Sequence, residues 1–517
     1  MSDPLHSYDQ VRLHGFGDML REQARSRPQH IALVEQDTRY TYSQLHERIN
    51  RLTHALRQRG VSSGSRLLWL GQNSYRVLEL LGAAARLGAI VCPANWRMTA
   101  AETIRTLVDF EPSIIFWQES EVGDIAREAR AAGAGAGQSV WIQHDGSGEH
   151  SYEALLAAGS DEDDESRVDP DLPLLAIYTA AFDGAPMAAL LSHTTLMLQG
   201  LMNTQSQLIA ETSSYLVSGP MFHVGVMMGT LATILAGGRC VFVSRPDAQT
   251  LLQVIAAERV THAFLVYPTI EQMRQLNVDG RYDVSSLFNQ PDMSDWRMPM
   301  VMPASAPLVA KLGGYGQTEV GGLSVLLWLG GSGAGRPAPF IQVKILDEEG
   351  DETPSGTPGE IAVRGALVMN GYLGQTHENA RRTRDGWHRT NDLGLRKPDG
   401  SIVFVGPKTT MIKSGLENIY PAEVESCLRS HPAVADVCVI GVPDPTWAQN
   451  VKAVIVTRPG AEVSAEALID HCRERIASYK KPKMVAFVDA LPRNSAGGID
   501  RAGVDAAHGG GNYPRVA

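Results

Sequence analysis

From Tyr42 to Arg59 the apolar residues Leu45, Ile49, Leu52, Ala55 and Leu56 recur at helical spacing, which predicts an amphipathic helix with one buried face. A short apolar run at Arg66 to Leu70 reads as a strand, and Tyr75 to Leu87 returns to the helical period. Such alternation continues along most of the chain and predicts an α/β fold, with β-sheets flanked by helices. The segment Asp161 to Ser166 is acidic and without apolar periodicity, so it reads as solvated surface.

The pattern changes near residue 410. Asp399-Gly400 marks a hairpin turn between a strand ending near Arg396 and another at Ser401 to Val405. Beyond it, Pro421 to Arg429 reads as a helix, Val437 to Val442 as a strand, Ala465 to Ala477 as a charged helix and Met484 to Val488 as a strand. These elements predict two unequal domains: a large one over residues 1–409 and a small, mobile α+β one over residues 410–517. A chain of 517 residues is too long for one hydrophobic core, which agrees with that division. The tail after Arg501, rich in glycine and alanine, reads as mobile.

Composition narrows the function classes. A formal net charge of −11 with no basic stripe argues against nucleic acid and against an anionic membrane as partner. The longest run of glycine and apolar residues, Gly225 to Gly238, is too short to span a bilayer. No basic start followed by an apolar run is found at the N-terminus, so a cytoplasmic protein is expected. The five cysteines (Cys92, Cys240, Cys427, Cys438, Cys472) have neither zinc spacing nor a disulfide framework and read as small apolar residues.

Five segments carry chemistry. Gly314-Tyr315-Gly316-Gln317-Thr318-Glu319 combines a ring that can stack on a base, a hydroxyl that can meet a phosphate and a carboxylate that can ligate Mg²⁺. Asp392 follows in a polar segment, and one carboxylate can accept both hydroxyls of a ribose. Further on stand Met411 to Glu425, Ser478 to Lys483 and Leu491 to Asn494. In this order the segments resemble the adenylate-forming superfamily of acyl-CoA synthetases, adenylation domains and luciferases, from Thr41 to Arg501. The resemblance implies two half-reactions. A carboxylate first attacks the α-phosphate of ATP to give an acyl-adenylate; after a rotation of the small domain, the thiol of coenzyme A displaces AMP. It implies that Tyr315 stacks on adenine, that Ser305, Ala306 and Pro307 line its other side, that Thr318 contacts the AMP phosphate and that Asp392 binds the ribose. It places His223 at the carboxylate end of an acyl pocket with Phe222, Val224 and Gly225, and Lys413, Ser414 and Gly415 along a coenzyme A tunnel. From the residue alone, His223 can equally be a histidine satisfied inside the core. Met221, Met227 and Met228 can be plain core as well as pocket.

Two segments depart from the family. Its phosphate loop reads YTSGTTGxPKG, whereas this chain has Tyr178-Thr179 followed by Ala180, Ala181, Phe182, Asp183, Gly184 and, in the lysine's place, Met187. A triphosphate cradle needs donors and cations, and this loop offers a ring, a carboxylate and a thioether. The family's catalytic lysine, in PRNxxGK, is replaced by Gly498, and no lysine follows Lys483. Pro407, Thr410, Leu416 and Trp447-Ala448-Gln449 are further substitutions. Residues for holding AMP are thus kept while those for pyrophosphate and adenylation are missing. The preferred expectation is an enzyme that forms a coenzyme A thioester from an acyl-adenylate supplied by a separate adenylating enzyme. A complete ATP-dependent synthetase and an inert adenylate-binding or partner-binding relative remain alternatives, and a homodimer is left open. The degenerate loop and the composition resemble actinobacterial ligases of platensimycin/platencin-type diterpenoid pathways, which implies a bulky terpenoid acyl group.

Overall fold

The computed structural model describes residues 11–133, 139–163, 165, 167–179, 186–265, 267–287, 314–326, 334–415, 417–493 and 498–511. Two sheets sandwich a layer of helices. The first runs 140–143, 114–117, 66–70, 90–93, 173–178, 188–192 in spatial order, parallel except for its last pair. The second runs 262–263, 214–217, 239–242, 31–35, 38–41, again parallel but for its edge. Parallel neighbours need crossover connections, and helices Tyr42–Gln58, Arg76–Leu87, His193–Gln207 and Val224–Leu235 lie between the strands in sequence.

The periodicity of the first helix is realised. Leu45, Ile49, Leu52, Ala55 and Leu56 are all buried in the main core. Thr41 caps the helix by accepting from the Gln44 amide while the Gln44 side chain accepts from the Thr41 amide, so two orphan donors are met together. Strand Arg66–Leu70 and helix Arg76–Leu87 also fall where expected. The acidic segment is solvated at Asp161, Glu162 and Glu165 as expected, but not at Asp163. Asp163 accepts from Arg21 Nη2 at 2.8 Å and lies near Arg86, which holds its carboxyl well below the usual range despite partial burial. Composition could not reveal that two buried arginines of distant helices need this carboxylate.

A third, antiparallel sheet contains Ile341–Leu346, Gly359–Gly365, Trp387–Arg396 and Ile402–Pro407, with the Asp399-Gly400 turn as expected. A further sheet, with hairpin Ile412–Ser414/Glu417–Ile419 and long strands Val434–Asp444 and Ala448–Thr457, has its own core around Val424, Leu428, Val439 and Leu468. Within the described residues the tail is ordered: Arg501–His508 is a helix. Asp500 caps it through the Gly503 amide, Val504 is buried against Ile440 and Leu491, and Arg501 pairs with Glu425 at 2.7 Å. One apolar contact and one cap outweigh the glycine-rich composition. All five cysteines are buried and free. Among the described residues no helix is long and apolar enough to cross a membrane.

Candidate active site

A cleft of about 1170 Å³ lies between the large sheets and the C-terminal elements. One wall is the hairpin Gly314–Gln317/Gly322–Leu326. Its strands approach so closely that a Cβ on Gly316 would sit 1.8 Å from the Gly322 carbonyl oxygen, so only glycine fits there. The hairpin fixes Tyr315, whose ring stacks on Phe404 with centroids 5.1 Å apart. The phenol donates to Asp392 Oδ2 at 2.9 Å, and Gln317 Nε2 donates to the same oxygen at 3.1 Å. Burial pushes the Asp392 carboxyl up to about 7, helped by nearby Glu319 and opposed by these two donors. The structure therefore brings Tyr315, Gln317 and Asp392 into one network. Phe404, which completes it, had no signal in the sequence beyond its place in a strand.

Glu319 is buried, accepts from the Tyr372 hydroxyl at 2.7 Å, and is shifted by burial toward its neutral form. A carboxyl so engaged is a poor fit to Mg²⁺, which demands several hard oxygens in open octahedral geometry. Among the described residues no group of three or more acidic, histidine or cysteine side chains could hold a metal. Thr318 and Gly314 also line the cleft.

The second wall is the start of helix Val224–Leu235. Phe222, His223, Val224, Gly225 and Met228 line the cleft, whereas Met221 and Met227 belong to the core. His223 is not a core histidine. Its Nε2 lies 3.2 Å from Glu417 Oε1, on the C-terminal hairpin, and Arg97 Nη1 reaches the same oxygen at 3.3 Å. Burial would raise the Glu417 carboxyl, but His223 and Arg97 outweigh it and lower it.

The C-terminal hairpin forms the roof. Lys413 lines the cleft and its Nζ donates to Asn418 at 2.7 Å; Ser414 and Gly415 lie at the hairpin tip, the latter donating its amide to the Trp447 carbonyl at 2.7 Å. Gln449 accepts from the Lys413 amide and donates to the Gly511 carbonyl, tying hairpin to tail. Lys480 is buried between Glu102 (2.9 Å) and Glu423 (2.7 Å), one from each side of the cleft. The loss of hydration on burial works against its charge; Tyr479 and the two carboxylates prevail and hold it above the ordinary lysine value. Sequence reasoning missed Glu417, Lys480 and Glu102, because partners 194 and 378 residues apart leave no local pattern.

Met187 is part-buried against the main core, and its carbonyl accepts from the Thr179 amide. Thr179 lines the cleft, with its hydroxyl buried and unpartnered among the described residues. Ala180, Ala181, Phe182, Asp183 and Gly184, together with Ser305, Ala306, Pro307 and Leu416, lie outside the described residues. Ser192 caps helix His193–Gln207, and His193 Nδ1 accepts from the Phe16 amide, so this pair is structural. Gly498 is exposed between Arg493 and Ile499, which pair as a bridge, and it does not line the cleft.

The model of the AMP-binding enzyme family matches residues 20–373, and that of the AMP-binding enzyme C-terminal domain matches residues 423–497. The chain belongs to the AMP-binding enzyme family. This AMP-binding enzyme is 34% identical over 476 residues to indoleacetate–CoA ligase of Aromatoleum aromaticum, covering 89% of this chain and 91% of the relative. A double mutant of o-succinylbenzoate CoA synthetase from Bacillus subtilis, bound with its product analogue OSB-NCoA, superposes with a TM-score of 0.79 at 25% identity, over 96% of this chain and 99% of that one. The same synthetase in complex with the acyl-adenylate intermediate OSB-AMP gives 0.63 at 25% identity, over 95% and 99%. The AMP-binding enzyme thus shares the fold of a large α/β domain and a smaller C-terminal one.

Proposed function

We propose that this chain forms a coenzyme A thioester from a preformed acyl-adenylate, with adenylation from ATP lost or impaired. One observation carries the reading: the hairpin bearing Lys413 and Glu417 sits over the cleft against His223, while Gly498 stands outside it. The higher TM-score to the synthetase holding a coenzyme A product analogue supports the same state. Residues 1–409 would form the body and 410–517 the lid, with the boundary between strands Ile402–Pro407 and Ile412–Ser414.

In this reaction the thiol sulfur adds to the acyl carbon and the carbon–oxygen bond to AMP breaks. The acyl-adenylate already contains the activated bond, so no triphosphate grip is required. Asp392 would hold the ribose, Tyr315 and Gln317 the base side, and Thr318 the phosphate. Glu417, accepting from His223 Nε2–H, would fix the ring with Nδ1 as its basic nitrogen, able to receive the thiol proton. Lys413, Ser414 and Gly415 would flank the pantetheine arm, and Phe222, Val224 and Gly225 the acyl group. A bulky terpenoid acid is the acyl class implied by the resemblance to ligases of diterpenoid pathways, and a separate adenylating enzyme would supply its adenylate.

The runner-up is a complete ATP-dependent ligase, favoured by the name of the 34% identical relative. Purified protein given ATP, carboxylic acids and coenzyme A, and then synthetic acyl-adenylates and coenzyme A, separates the readings. Thioester from the adenylate alone is the expected result. Acid-dependent pyrophosphate release overturns it, and neither product points to an inert binder.

A further inference from the structure

Two of the five cysteines meet. Cys427 lies in helix Pro421–Arg429 and Cys472 in helix Ala465–Arg475, and the two helices pack together on one core. Their thiols are hydrogen-bonded, Cys472 donating to Cys427. The backbone at Cys427 is held in place: Ser430 Oγ donates to its carbonyl at 2.6 Å, and His471 Nε2 lies 3.1 Å from the same oxygen. His471 is the neighbour of Cys472, so each helix is tied to the other beside the thiols.

The two sulfurs differ in access. Cys427 is 9% exposed and is the one cysteine that lines the cleft, whereas Cys92, Cys240, Cys438 and Cys472 are fully enclosed. They also differ in reactivity. The bond from Cys472 and the nearby Arg475 guanidinium lower the Cys427 thiol, against burial and the Glu102 and Glu423 carboxylates. Donating that bond, with burial, pushes Cys472 up. A thiolate is the nucleophile in thiol oxidation, so the reachable sulfur is also the activated one. The same helices carry contacts that close the cleft: Glu423 accepts from Lys480, and the Arg475 carbonyl accepts from Thr99 Oγ1 at 3.3 Å.

We propose that Cys427 and Cys472 form a peroxide-sensitive dithiol, with Cys427 oxidised from the cleft and Cys472 closing a disulfide between the two helices. The Cys427 sulfur attacks one oxygen of hydrogen peroxide and the O–O bond breaks. The leaving hydroxide takes the Cys427 proton as water, and a sulfenic acid remains. The Cys472 sulfur then attacks the Cys427 sulfur and the S–O bond breaks, the hydroxide leaving with the Cys472 proton as a second water. Two thiols lose two electrons and one peroxide gains them. No acyl group or adenylate enters this inference, so it stands apart from the proposed reaction.

The test is peptide mapping by mass spectrometry after the reduced protein meets a modest excess of hydrogen peroxide and free thiols are alkylated. A cross-linked peptide pair containing Cys427 and Cys472, two hydrogens lighter and released by dithiothreitol, is expected. Cys472→Ser is expected to remove the cross-link and leave a Cys427 sulfenic acid that dimedone traps. Cys427→Ser is expected to leave Cys472 a free thiol. Both thiols alkylated as in the untreated protein overturn the inference. So do earlier oxidation of Cys92, Cys240 or Cys438, and Cys427 sulfinic acid without a cross-link. The wild-type map decides even if a variant does not fold.

Discussion

In the ribose-binding role proposed for it, Asp392 would make the nucleoside site a pH-dependent one. Its carboxyl is pushed up to about 7, chiefly by burial. To accept two ribose hydroxyls it must be ionised. With a value of about 7, the ionised fraction is roughly 0.09 at pH 6 and roughly 0.91 at pH 8, a tenfold ratio worth about 1.4 kcal/mol. The affinity for an acyl-sulfamoyladenosine, whose linker charge is constant over this range, is therefore expected to rise about tenfold from pH 6 to pH 8. The free protein responds the opposite way. Its folded value lies above the ordinary 3.8, so the group's contribution to stability is whole below about pH 4 and is lost as pH rises through about 7. Titration calorimetry at several pH values measures the first effect and thermal melts of the free protein the second. Asp392→Asn is expected to weaken binding and to leave it flat with pH, which separates Asp392 from Glu319 and His223 in the same cleft. A flat wild-type profile, or an Asp392→Asn profile as steep as the wild type, refutes the reasoning.

Gly316→Ala places a Cβ 1.8 Å from a backbone oxygen and is expected to open the hairpin, lower Tm and weaken adenylate-analogue binding at least about tenfold. Wild-type binding in this variant would contradict the close approach. Lys480→Met leaves Glu102 and Glu423 facing each other without their cation, and removing one partner of a buried pair costs roughly 3–5 kcal/mol. Domain opening is expected, read as a larger radius of gyration by small-angle scattering and at least a tenfold slower thioester step. Restoring cations with Met187→Lys and Gly498→Lys together is expected to give measurable acid-dependent pyrophosphate release, since each such group is typically worth on the order of 10²–10³ in rate. No gain in the double variant would mean that the loop's other substitutions suffice to block adenylation.

Local patterns were readable where one segment settles its own fate. Helix Tyr42–Gln58 and strand Arg66–Leu70 followed from apolar spacing, and Gly314 to Glu319 with Asp392 from the order of motifs. What stayed hidden depends on partners distant in sequence. Asp163 looks like any surface acid until Arg21 is brought beside it. Helix Arg501–His508 depends on a single buried valine and on Arg501 meeting Glu425. His223 shows which alternative holds only once Glu417, from the far side of the cleft, arrives at 3.2 Å.

The contacts that close the cleft differ from those that build its walls. The walls rest on apolar burial, while the roof is fixed by Lys480 between two glutamates and by Glu417 between His223 and Arg97. A buried ion pair roughly balances its own desolvation, so such contacts specify one arrangement without binding it tightly. In the proposed reaction, opening the roof would return these charges to water. A lid that admits adenylate, holds it for the thiol and then releases product, as proposed here, would need that balance. Arg97 is 39% exposed, and its pair with Glu417 is open to screening by salt, whereas Lys480 is buried and shielded. Raising ionic strength from 0.05 to about 0.5 M, where the Debye length contracts below roughly 5 Å, is therefore expected to loosen the His223 side first. Thioester formation would then slow at a salt concentration that leaves the scattering radius unchanged. Simultaneous loss of rate and compactness would show instead that the two clusters act as one.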